Sequence, residues 1–203
     1  MKVLANSLSV ACILMASGFS TRFGSNKLLA PFMGQPMIER LFTITESLFS
    51  QRIVVTRYEE ISRLASQKNI SVLLHHETDL NDTIRLGLSA LDPSTDGCMF
   101  CPCDQPLLTA KSLAGMLNVF EKSPKLIIRA AFLEQHGTPV IFPAWTFEEL
   151  KTLPEGSGGR FILNKYRDSV KSFHVDNPWE LSDIDTPGML SAMEAIAIKH
   201  AMP

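Results

Sequence analysis

A chain of 203 residues, 45% of them apolar and 20% charged, can bury a core of its own, so neither a disulfide framework nor a structural metal has to be invoked. A formal net charge of −2 leaves no basic footprint, which argues against a nucleic-acid partner. A polyphosphate ligand would therefore be held by local cations and backbone N–H groups.

No apolar run is long enough for a membrane span, and residues 2–15, interrupted by Asn6, Ser7 and Ser9, read as the approach to a strand and not as a secretion leader. From there, runs of strand length alternate with amphipathic stretches. Residues 10–15 predict a strand and 36–49 a helix, on which Leu41, Ile44 and Leu48 recur at spacings of three and four. Strands follow at 52–56 and 70–74, with helices at 59–67 and 82–91. A strand at 97–103 leads into a helix at 110–121 with an apolar face of Leu113, Leu117 and Phe120. Further strands are predicted at 126–132, 139–142 and 170–175, short helices at 145–150 and 160–166, and a last helix at 187–199. The alternation implies a single α/β domain over residues 1–203: a Rossmann-like, doubly wound, mostly parallel sheet with helices on both faces. Ligands of such sheets sit beyond the carboxyl ends of strands at the topological switch point, so residues just after strands are the ones to search.

The first such loop reads Ala16-Ser17-Gly18-Phe19-Ser20-Thr21-Arg22-Phe23-Gly24-Ser25-Asn26-Lys27. Small residues at 16–18 let the backbone approach a ligand, Gly18 and Gly24 permit left-handed backbone, and inward N–H groups make an anion-binding concavity. Arg22 and Lys27 add the cations a triphosphate demands. The spacing fits neither a P-loop nor a dinucleotide fingerprint, and composition alone favours a plain polar loop with two surface cations. Asp104, in Pro102-Cys103-Asp104-Gln105-Pro106, ends a strand where a carboxylate can take Mg2+. The alternative is a helix cap, although Thr109 stands closer to the helix start. Asp185, in Asp183-Ile184-Asp185-Thr186-Pro187, can contact a metal or, with Thr186, cap the helix that Pro187 opens. His75-His76-Glu77 reads as solvated loop. Cys12, Cys98, Cys101 and Cys103 read as small buried hydrophobes with reduced thiols, because nothing completes a four-ligand metal site. That cysteine usage points to the cytoplasm.

These segments resemble a known family. Leu14-x-Ala16-Ser17-Gly18-x-Ser20-x-Arg22-x-Gly24-x-x-Lys27, then Leu29-x-Pro31 and Gly34-x-Pro36-Met37-Ile38, look like the opening signature of the MobA-like NTP transferases, nearest the molybdenum cofactor cytidylyltransferase branch, and the match runs to about Pro187. The resemblance implies a nucleotide-diphospho-sugar transferase-like fold. It implies transfer of a nucleoside monophosphate from an NTP to a phosphorylated small-molecule acceptor, with Mg2+ as cofactor. It implies nucleotide contacts from Ala16, Ser17, Gly18, Ser20, Arg22, Gly24, Lys27 and Thr83. Arg22, Lys27 and Asp104 would be catalytic, and Asp104 and Asp185 would hold the metal. His136-Gly137-Thr138-Pro139-Val140-Ile141-Phe142 resembles a stretch of the cytidylyl branch, with Thr138 where His is usual. Gly156-Ser157-Gly158-Gly159-Arg160 matches another and lacks a usual Asp. Gly137, Thr138, Pro139 and Arg160 are thus expected on the acceptor side. Guanylyl members usually carry Gly where Ser17 stands, so its side chain should crowd a purine and its hydroxyl could bond a base edge, favouring CTP over GTP. The acceptor implied is molybdenum cofactor, with a molybdoenzyme or its chaperone as a further partner. The rival readings are a sugar-phosphate or methylerythritol-phosphate nucleotidyltransferase and a non-catalytic NTP-binding module.

Overall fold

Strand β1 (Val10–Ala16) is apolar throughout, with Cys12 and Leu14 packed on one side of the sheet and Ile13 on the other. A strand buried on both faces belongs at the centre of a parallel sheet, and there it lies in a computed structural model that describes residues 8–200. Residues 1–7, the start of the stretch that reads as an approach to β1 and not as a secretion leader, lie outside the described residues. β2 (Pro31–Phe32) and β3 (Gln35–Pro36) form a small hairpin before α1 (Ile38–Thr45). Then come β4 (Arg52–Thr56), α2 (Glu59–Gln67), β5 (Ser71–Leu74), α3 (Leu80–Ser89), β6 (Gly97–Pro102) and α4 (Ala110–Lys122). They are followed by β7 (Ile127–Phe132), β8 (Gln135–Pro143), α5 (Phe147–Lys151), α6 (Arg160–Lys165), β9 (Val170–His174) and α7 (Pro187–Lys199).

The main sheet has seven strands in the order β5-β4-β1-β6-β8-β7-β9, and only β8 runs antiparallel to its neighbours. One face carries α1, α2, α4 and α7 over a core containing Leu41, Ile61, Met116 and Ala197. The other carries α3, α5 and α6 over Ile84, Phe100, Phe142, Leu150 and Ile162. This is the doubly wound α/β sheet that the alternation implied. From β1 the chain winds outward to β4 and β5, then crosses to β6 on the opposite side of β1. The switch point therefore opens between the carboxyl ends of β1 and β6.

Among the boundaries that differ from expectation, three starts have a clear local reason. The first helix starts at Ile38 and not at 36 because Gln35 and Pro36 pair with Phe32 and Pro31. α3 starts at Leu80 because the Asp79 carboxylate caps it, accepting from the Asn81 amide at 2.8 Å. β8 starts at Gln135 because a two-residue turn at Leu133 and Glu134 lets Gln135 pair directly with Phe132. α3 lies very close on β1: a Cβ at Gly87 would come within 2.7 Å of Ile13 Cδ1. All four cysteines are free and buried, as small hydrophobes would be. No helix among the described residues is long and apolar enough to cross a membrane.

Candidate active site

The loop after β1 folds over itself and turns Lys27 inward. The Ser20 carbonyl accepts from the amides of Phe23 (3.0 Å) and Gly24 (3.3 Å), with Ser20 at φ 54° and Gly24 at φ 83°. The left-handed residues are thus Ser20 and Gly24; Gly18 does not adopt that backbone, contrary to expectation. A Cβ at Gly18 would meet nothing within 4 Å, so what glycine leaves there is open space over the loop. Asn26 accepts from the Leu28 amide (3.1 Å) and starts a short 3-10 turn, Lys27–Leu29. The Lys27 side chain, only 10% exposed, then lies between Asp104 (2.7 Å) and Asp185 (2.9 Å). Arg22 closes the other side of Asp185 at 2.7 Å while remaining largely in solvent. A backbone bond from the Ile184 amide to the Asp104 carbonyl (2.9 Å) ties the two acidic loops together.

The electrostatics follow from this packing. Burial alone would lower the Lys27 pKa, but the carboxylates of Asp104 and Asp185 outweigh it and raise it above the ordinary lysine value. The Lys27 hydrogen bond in turn holds Asp185 below the usual carboxylate range. Asp183, more buried and close to Asp104, is pushed up. The Gln105 amide bridges away from this acidic group, its Nε2 donating to Asp183 (2.8 Å) and to the Thr138 hydroxyl (2.7 Å). Asp104 keeps one buried oxygen, Oδ1, without a partner among the described residues.

A cleft of about 1010 Å3 runs from this cluster across the face of β1, β6 and β8. Ser17, Gly18, Ser20, Lys27, Thr83, Asp104, Gly137, Thr138 and Arg160 all line it. Asp185 and Arg22 join it through their ion pairs around Lys27. Ala16 is fully buried in β1, whereas Gly24 and Pro139 are not among the lining residues and shape backbone instead. Arg129 pairs with Val140 but Ala131 with His136, so Gly137, Thr138 and Pro139 bulge out of β8 opposite Ala130. Pro139 has no N–H to give the ladder, and bulges re-aim side chains next to active sites. Here the bulge delivers Thr138 to Gln105.

The MobA-like NTP transferase domain matches residues 12–170. This chain belongs to the MobA-like NTP transferase family. It is 26% identical over 188 residues to the molybdenum cofactor cytidylyltransferase of Escherichia coli (strain K12), covering 88% of this chain and 92% of that protein. It is 25% identical over 189 residues to the purine catabolism protein PucB of Bacillus subtilis (strain 168), covering 86% and 91%. Among solved structures, Rv0371c from Mycobacterium tuberculosis H37Rv superposes with a TM-score of 0.82 at 20% identity, covering 92% of this chain and 98% of that one. At that identity the likeness concerns the fold, which is that of the nucleotide-diphospho-sugar transferases. The chain is accordingly a nucleotidyltransferase by family.

Several residues of this MobA-like domain that shape the site escaped the sequence reading. His75 is buried and not solvated: its Nε2 lies 2.7 Å from the Ser17 hydroxyl, which also reaches the Val55 carbonyl at 3.0 Å. Ser17 has one proton and gives it to Val55, so His75 must be the donor to Ser17 through Nε2–H. Burial, and then Arg57 nearby, lower the His75 pKa and keep it neutral. The Ser17 hydroxyl therefore faces protein, and only its Cβ is left to crowd a base. Arg57 donates to the Ser17 carbonyl (2.9 Å) and lies 3.8 Å from the Phe19 ring centroid. Asp79 and Asn81 accept from the amides of Gly156 (3.0 Å) and Gly158 (2.9 Å), and so fasten the loop that presents Arg160. Arg57 and His75 directly follow β4 and β5, so the rule of searching behind strands could have found them.

Proposed function

We propose that this chain transfers CMP from CTP to a phosphorylated small-molecule acceptor in the cytoplasm, foremost molybdenum cofactor, releasing pyrophosphate. The observation that carries the reading is the Lys27 ammonium clamped between Asp104 and Asp185 at the switch point and opening onto the cleft. Attack of an acceptor phosphate oxygen on the α-phosphorus needs positioning and charge stabilisation more than covalent help. Lys27 meets the negative charge that grows on the α-phosphate. Arg22, whose side chain is 71% exposed, swings from Asp185 to the outer phosphates, together with the loop amides of residues 17–24. An acceptor phosphate is ionised at neutral pH, so no general base is required.

Asp104 and Asp185 would hold Mg2+. Two carboxylates, one with an unpartnered oxygen, suit an ion that takes one or two carboxylates and completes its shell with phosphate oxygens and water. When bound it supplies neutralisation of phosphate charge. Thr83 on α3 contacts the nucleotide, and Thr138, Gly137 and Arg160 face the acceptor. Preference for CTP is supported by the Ser17 Cβ where a purine needs room, and by likeness to a cytidylyltransferase. A molybdoenzyme or its chaperone would receive the product.

The test is pyrophosphate release with each NTP, Mg2+ and a panel of phosphorylated acceptors. CTP should exceed GTP by about 10- to 100-fold in kcat/KM if one or two contacts decide the base. Asp104→Asn, folded by circular dichroism, should lose turnover by orders of magnitude. No release with any pair, or wild-type rates in Asp104→Asn, would sink the reading.

A further inference from the structure

In the far part of the cleft Arg160, already placed on the acceptor side, is joined by a second arginine, Arg129, to which the proposed chemistry gives no role. Arg129 and Arg160 both line the cleft, and neither has a carboxylate partner among the described residues. Arg129 spends its Nε–H on the Gly137 carbonyl at 3.2 Å, which leaves four N–H groups on its two Nη atoms. The Arg160 side chain makes no hydrogen bond within the described residues, and all five of its donors are open. Half burial lowers the Arg129 pKa, and the charge of Arg160 lowers it further. Two like charges close enough to feel each other, one of them half-buried, are unfavourable unless an anion joins them. The amide side chain of Asn164, one helical turn beyond Arg160, lines the same corner.

This corner is separate from the Lys27 cluster. Arg129 stands opposite Val140, which stands opposite Phe100, two residues before the end of β6 at Pro102. Two strand spacings across and two residues along place its backbone roughly 12 Å from Pro102. Between the two ends the wall is apolar, formed by Phe100, Val140, Phe142 and Leu163.

We infer that Arg129 and Arg160 form a second anion station, which grips an oxyanion on the acceptor remote from the phosphate that attacks. The inference rests on the reading that this end of the cleft receives the acceptor. The acceptor then carries two anionic ends on either side of a body that lies against an apolar wall. The guanidinium pair is suited to two-point contact with phosphate, carboxylate or a metal oxyanion, and it also sets the distance at which the attacking phosphate is presented.

The test reads the arginines directly. The Nε–H resonances of Arg129 and Arg160, assigned with Arg129→Gln and Arg160→Gln, are followed by NMR while inorganic phosphate, molybdate or acetate is titrated into the whole protein. Both signals should shift together and saturate, and the preferred probe identifies the kind of oxyanion. Arg160→Gln, at an exposed position on α6, should weaken phosphate binding about tenfold as read at the Arg129 signal. Lys27→Met should retain the response. Arginine signals that ignore all three anions, or an Arg129 signal in folded Arg160→Gln that saturates at the wild-type phosphate concentration, overturn the station. The functional reading fails separately: a chain that binds phosphate here yet releases pyrophosphate with no NTP keeps the station and loses the proposed reaction.

Discussion

At the scale of single residues, Lys27 compensates two carboxylates at rest and, in the proposed reaction, a phosphate in the transition state. Its 10% exposure means that little water can replace it. Removing it leaves Asp104 without its counter-charge beside an Asp185 that keeps only the largely solvated Arg22. Lys27→Ala should therefore chiefly lower kcat, by about 100-fold or more. Arg22 is mostly solvated and its bond to Asp185 is a surface pair of small worth. If it grips the outer phosphates equally in ground and transition states, Arg22→Ala should chiefly raise KM for the NTP, about tenfold. Steady-state kinetics with a range of CTP concentrations separates the two, and a reversed pattern would remove both assignments. Lys27, Asp104 and Asp185 were legible because they stand in contiguous motifs. Arg129 was not, because a lone arginine inside an apolar strand carries no local sign of the cleft that half-buries it.

At the scale of elements, the close approach of α3 to β1 links stability to both halves of the cleft. Gly87 leaves no room for a side chain against Ile13, with Cδ1, Cγ1 and Cγ2 all within 3.1 Å of an added Cβ. Gly87→Val should overpack this contact at a cost of about 1–3 kcal/mol. In a domain of this size that lowers Tm by several degrees, about 2–4 °C for each kcal/mol. Because α3 carries Thr83, and Asn81 and Asp79 hold the loop before Arg160, the same variant should also weaken substrate binding. An unchanged Tm by calorimetry would show that the helix has slack to spare. Element types were legible from periodicity, since each β-run and amphipathic stretch kept its class. The reversal of β8 and its bulge at Gly137–Pro139 depend on pairing with β6 and β7, which no local pattern encodes.

For the molecule as a whole, the acidic cluster makes stability depend on pH with competing signs. Asp185 has a lowered pKa in the folded chain, so its contribution is present above about pH 4, the unfolded aspartate value, and is lost as pH falls through the lowered value. Asp183 has a raised pKa: its charged form opposes folding at neutral pH, and that opposition is relieved as pH falls through the raised value towards about 4. Lys27, raised, adds stability below about pH 10.4 that is lost as pH climbs through its folded value. Chemical denaturation across pH should show a small rise in stability on mild acidification and a fall below about pH 4. Asp183→Asn should remove the rise and Asp185→Asn should soften the fall. The Asp185 change should stay under about 1 kcal/mol, because water screens a partly exposed pair. A rise that survives Asp183→Asn would mean another group titrates there.

The sequence by itself determined the alternation of strands and helices, and the loop after β1 that carries Arg22 and Lys27. These are short-range matters: apolar period, turn-forming residues and charges spaced within one segment. Only the tertiary structure decided what those residues meet. It set Lys27 between carboxylates 77 and 158 positions away and turned the Ser17 hydroxyl to His75, 58 positions on. It also left Arg129 and Arg160 in one cleft without a counter-charge among the described residues. The physical reason is that burial and charge pairing belong to three-dimensional neighbours, and neighbours across a sheet are set by strand order and register rather than by distance along the chain.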